Sequence, residues 1–86
     1  MKNKLPSIKQ MATWSNSGHR ILLDLIWKEV SEEDILYLVS KDKGLRKCLK
    51  TLDRWICLHH VEVGLALSTR GKDLLAVLDL DNAEDI

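Results

Sequence analysis

The chain has no excess of either charge: 13 basic and 13 acidic side chains among 86 residues give a formal net charge of zero. Taken alone, that balance argues against strong nucleic-acid binding. No apolar run approaches the ~18 uninterrupted residues of a membrane span, so no membrane partner is expected. The opening residues Met1-Lys2-Asn3-Lys4-Leu5-Pro6 are basic but lead into no apolar stretch of the secretory kind. A cytoplasmic location is therefore expected. Cysteine is scarce, with only Cys48 and Cys57, both inside apolar patterns. That excludes a disulfide framework and points to two free, buried thiols. Glycine-rich phosphate loops are missing too. Ser17, Ser31 and Ser68 are better placed as helix caps than as nucleophiles. The cluster Glu32-Glu33-Asp34 is explained by the positive end of a helix dipole. The expectation is no enzyme, no cofactor and no small-molecule ligand.

His59-His60 beside Cys57 invites a metal reading. Adjacent residues on a strand point to opposite faces, and one Cys-x-His pair is not the four-ligand spacing of a zinc site. No metal is expected. His19 falls in a first helical turn and is expected to be exposed.

The composition, 45% apolar and 30% charged, is that of a globular protein. Residues 1–86 are read as one domain, with 1–16 as an N-terminal extension and 81–86 as an acidic tail. A chain this short buries a modest core, so a homodimer is expected. Within 1–16, Leu5, Ile8, Met11 and Ala12 can line a short extra helix with Pro6 in its first turn and Trp14 closing its face. Ser17 can cap a helix to about Glu29, striped by Ile21, Leu22, Leu25 and Ile26 and widened by Leu23 and Trp27. Ser31 caps a third, Glu32–Val39, with Ile35, Leu36, Leu38 and Val39 as its apolar set and Tyr37 half exposed. Ser40-Lys41-Asp42-Lys43-Gly44 breaks it.

The next helix runs from about Lys43 to Trp55, with Leu45, Cys48, Leu49, Leu52 and Ile56 inward. Two short strands, about Cys57–His60 and Leu65–Ser68, follow, with Val61 and Val63 alternating about Glu62 and Gly64 permitting a turn or bulge. Ser68 then caps a last helix, Thr69–Leu80, carried by Leu74, Leu75 and Leu78. Trp27 and Trp55 end apolar stripes and belong to the core or an interface; Trp14 can anchor a dimer contact.

Charge is segregated along this pattern. From Lys41 to Arg54 the chain carries Lys41, Lys43, Arg46, Lys47, Lys50 and Arg54 against Asp42 and Asp53. The segments before it and at the C-terminal end are acidic. Such asymmetry is more informative than the total.

Three stretches resemble the winged helix-turn-helix family of small prokaryotic and archaeal transcriptional regulators. Arg20-Ile21-Leu22-Leu23-Asp24-Leu25-Ile26 with Val30-Ser31-Glu32-Glu33-Asp34-Ile35 is similar to the family's first helix and the start of its second. Leu49-Lys50-Thr51-Leu52-Asp53-Arg54 is similar to the distal half of its recognition helix. Leu67-Ser68-Thr69-Arg70-Gly71-Lys72-Asp73-Leu74-Leu75 is similar to its post-wing signature, a Leu-Ser/Thr pair with a Gly three residues later. The likeness spans about residues 17–80. The sequence departs from the pattern where Val39-Ser40-Lys41-Asp42 replaces a Gly-containing turn, where Ile56 replaces the Gly that often ends the recognition helix, and in a wing without Arg or Lys.

The resemblance implies a mainly α (α+β) fold: a three-helix core, a short two- or three-stranded β-wing and a C-terminal helix, to which the apolar spacing of residues 5–14 adds an extra N-terminal helix. It implies sequence-specific binding of double-stranded DNA as a transcriptional regulator, with Lys43–Trp55 in the major groove and a homodimer on a palindromic operator. Lys43, Arg46, Lys47 and Lys50 would face the groove, Arg54 would meet phosphate, and Lys41 and Arg70 would contact the backbone. The first helix and the N-terminal segment would supply the dimer interface. The alternative is a winged-helix module that binds protein and not DNA, favoured by the zero net charge, the acidic second helix and the uncharged wing.

Overall fold

The computed structural model describes residues 5–62 and 64–84, with side chains through residue 80. Its elements are α1 (Ile8–Trp14), α2 (Ser17–Trp27), α3 (Glu32–Lys41), α4 (Lys43–Arg54), β1 (Leu58–Val61), β2 (Gly64–Leu67) and α5 (Thr69–Glu84). This is a mostly helical α+β architecture carrying one antiparallel hairpin, with Leu58 opposite Leu67 and Val61 opposite Gly64. That register ends the strand at Val61 and leaves Glu62 in a turn, so the alternation expected across 61–63 is not carried past Val61 among the described residues. Val63 lies outside the described residues. Among the described residues no helix is long and apolar enough to cross a membrane.

Short polar side chains set where the helices begin. Ser7 Oγ accepts from the Gln10 N–H at 3.2 Å while Gln10 Oε1 accepts from the Ser7 N–H at 3.0 Å, a reciprocal cap for α1. Pro6 therefore precedes the cap, outside the first turn. The cap of α2 is Asn16, not Ser17: its Oδ1 accepts from the Gly18 N–H at 2.8 Å. Asn16 has the extended backbone of a cap, whereas Ser17 is already helical. Ser31 caps α3 through the Asp34 N–H at 3.2 Å.

The break expected over 40–44 shrinks to one residue. Asp42 is extended, closing α3 and opening α4, and its carboxylate accepts from the Gly44 and Leu45 N–H groups at 2.8 and 3.2 Å. Ser40 and Lys41 are thus helical.

The core gathers Met11, Leu22, Leu23, Ile35, Leu52 and Leu74 from all five helices, each fully enclosed. Cys48 and Cys57 are buried and unpaired, as expected. Helix α3 contributes only Ile35 and Val39. Leu36 and Leu38, expected inside, are exposed, because α3 lies on the surface and turns one narrow i, i+4 stripe inward. Helix α2 is not enclosed all round either: Ile21 and Trp27 reach solvent.

Helices α2 and α4 end alike. Beyond α4, the Cys57 N–H reaches the Leu52 carbonyl at 2.9 Å and the Ile56 N–H reaches Asp53 at 3.0 Å. This paired closure requires a left-handed residue between them. Ile56 supplies it at φ 58°, as Glu29 does after α2 at φ 63°. Glycine adopts this backbone without steric cost, and here a β-branched residue holds the position under strain. Ile56→Gly is expected to raise stability by about 1 kcal/mol, read as a higher urea midpoint.

Candidate nucleic-acid interface

Helix α4 divides cleanly by chemistry. At 3.6 residues per turn, Lys43, Arg46, Lys47, Lys50 and Arg54 fall within an arc of about 100°, opposite the buried Cys48 and Leu52. All five are exposed. Among the described residues, Lys43, Arg46, Lys47 and Lys50 make no side-chain ion pair or hydrogen bond. Arg54 Nη2 donates to Thr51 Oγ1 at 3.5 Å, and that hydroxyl donates to the Lys47 carbonyl at 3.0 Å. Lys41, just before α4, rests its ammonium 5.3 Å from the Tyr37 ring centroid.

The stripe is held outward by a clamp at the far end of the helix. Three successive carbonyls there are taken by the segment after the hairpin. Arg70 Nε donates to Trp55 O at 2.9 Å, Ser68 Oγ to Ile56 O at 2.6 Å, and the Ser68 N–H to Cys57 O at 2.9 Å. The Gly71 N–H donates to Ser68 Oγ at 3.2 Å, which caps α5 as the sequence implied. Arg70 Nη2 continues to Pro6 O at 2.6 Å and Met11 Sδ at 3.5 Å, tying the approach to α1 into the same knot.

Arg70, expected to contact a DNA backbone, is half-buried and gives its guanidinium to carbonyls of its own chain. Its guanidinium is folded inward because unsatisfied carbonyls at the end of α4 and before α1 converge on it. Charged donors to buried carbonyls are worth more than exposed cations.

A second knot ties the start of α2 to the middle and end of α4. The Asn16 N–H donates to His19 Nδ1 at 3.1 Å, and Asn16 Oδ1 also accepts from Cys48 Sγ at 3.4 Å. The His19 ring stacks on Trp55, with centroids 5.6 Å apart and planes 16° apart. His19 was expected in water; it is 6% exposed, because the first turn of α2 lies directly against α4. Gly18 permits that approach, since a Cβ there would sit 2.8 Å from Cys48 Sγ. Burial lowers the His19 pKa and raises that of Cys48. Cys57, enclosed more deeply, is pushed up to about 11. Neither thiol is activated.

The hairpin adds little positive charge. His59 and His60 are exposed on β1, and His60 Nδ1 lies 3.6 Å from Glu32 Oε2 on α3. Among the described residues no three His, Cys, Asp or Glu side chains converge as metal ligands would. Trp55 belongs to the core; Trp27 does not, being 55% exposed with Lys72 Nζ 5.9 Å from its ring centroid. Trp14 is also exposed, 6.3 Å from Trp55.

Sequence reading found the cationic stripe but missed both knots. The clue to the first was that Ser68, Arg70 and Gly71 stand together with more polar capacity than one cap needs. For the second there was no local signal, since Asn16 and Cys48 are distant in sequence. The chain matches no protein-family model, no curated protein and no solved structure at a significant level.

Proposed function

We propose that the protein binds double-stranded DNA as a winged-helix transcriptional regulator, with α4 as the helix that enters the major groove. The observation carrying this is the row of exposed, internally unpaired cations on α4, opposed by a fully buried stripe. Lysine and arginine facing a groove donate to base edges, and those at the ends of the row neutralise phosphates and release counterions. The order of elements supports the reading: two helices joined through a one-residue cap, a hairpin, and a helix whose start clamps the end of α4.

Lys43, Arg46, Lys47 and Lys50 face the groove, while Lys41 and Arg54 meet phosphate. Arg70 has no part in contact; it holds α4 in place. A homodimer suits a fold with Trp14, Ile21 and Trp27 exposed on and beside α2, and it would read two half-sites one helical turn apart. Cytoplasmic action on chromosomal DNA follows from this reading.

One observation favours the alternative of a protein-docking module. The outer side of α3 shows Leu36, Tyr37 and Leu38 beside Glu33 and Asp34, a surface unsuited to phosphate. Retention on heparin or random-sequence duplex at low salt separates the two. A DNA binder is retained and elutes as salt rises; a protein that passes unretained supports the docking module and overturns the DNA reading.

A further inference from the structure

We infer that direct readout by α4 is restricted to guanine, so that each half-site is defined by guanines and carries no directly read adenine. This rests on the proposed DNA-binding function and specifies its substrate. Side chains that pair bidentately with adenine are Asn and Gln, and those that accept from cytosine are Asp and Glu. Helix α4 contains no Asn or Gln. Its single acid, Asp53, lies near the C-terminal end, away from the N-terminal half that reaches base edges. The Thr51 hydroxyl is engaged by the Lys47 carbonyl and Arg54, and the residue is half-buried.

What remains toward the groove is Lys43, Arg46, Lys47 and Lys50. The major-groove edge that accepts two hydrogen bonds from such donors is guanine O6 and N7.

Spacing supports the same conclusion. At about 1.5 Å rise per residue, Lys43 to Lys47 spans about 6 Å of helix and Lys47 to Lys50 about 4.5 Å. Base pairs step about 3.4 Å. Successive lysines therefore meet edges one to two steps apart, a pattern matched by a short cluster of guanines. An adenine among them would offer one acceptor, N7, beside its N6 amino donor, so a donor-only side chain gains at most a single hydrogen bond there against guanine's two.

The test uses the full chain and a pool of random-sequence duplexes. Sites are selected at moderate salt, and the enriched duplex is remade with 7-deazaguanine, which keeps pairing, length and charge but lacks N7. Guanine clusters are expected in the enriched sites, and the substitution is expected to weaken binding by about tenfold or more. Enrichment of A·T sites, enrichment of nothing, or equal affinity for the 7-deaza duplex overturns guanine readout while leaving DNA binding intact. Absence of binding to any duplex at low salt overturns the DNA-binding function itself.

Discussion

Replacing Arg46 and Lys47 together with glutamate is expected to reduce duplex affinity by at least ~100-fold in a low-salt mobility-shift titration, because two donors facing base edges are lost and two negative charges enter a groove flanked by phosphates. Both side chains are exposed and make no contact that the fold requires. Glutamate is also a good helix former. The variant should therefore unfold within about 0.5 kcal/mol of the parent. That separation matters: lost binding with unchanged stability assigns the effect to the surface of α4. Unchanged binding removes α4 as the reading helix, wherever else DNA is then held.

The opposite pattern is expected of Gly71→Ala. Gly71 lies in the first turn of α5, where its backbone passes directly over the Cys57 carbonyl; a Cβ at this position would overlap that oxygen. The neighbour is backbone, itself held by the Ser68 N–H, so it cannot swing aside as a side-chain tip could. Relief requires α5 to draw back from the end of α4, which loosens the Ser68 and Arg70 contacts together. A loss of roughly 3 kcal/mol is expected, at the upper end of overpacking costs. For a domain of this size that lowers the thermal midpoint by more than about 10 °C. A midpoint within a degree or two of the parent would mean that the junction is not held as described. The contrast with Ile56→Gly is informative, since two positions close in space take opposite signs from the same backbone logic.

Much of this architecture was legible in the sequence because it is local. Apolar spacing located every helix, and the Ser31 and Ser68 caps followed from short oxygen side chains ahead of periodic stripes. The basic face of α4 was visible for the same reason: a run of cations at helical spacing opposite Cys48 and Leu52.

What escaped depends on contacts between distant residues. His19 looked like a surface residue because nothing near it in sequence reveals that Trp55 lies on its ring. Arg70 looked like a free cation because Pro6 and Trp55, whose carbonyls take it, are far along the chain. Leu36 and Leu38 fit a helical stripe as well as Ile35 and Val39 do, and only the placement of α3 at the surface decides between them. Ile56 was visible as a departure from a glycine position; its left-handed backbone gives that departure a physical meaning.

The salt dependence of duplex affinity tests the central claim most directly. Fluorescence anisotropy of a labelled duplex, titrated with the full chain across a range of salt, gives log K against log salt. With Lys41 and Arg54 alone on phosphate at about 0.9 each, the slope should be about −2 or steeper per protomer. A flat line, or no binding at the lowest salt, would contradict the assignment of the α4 cations to DNA.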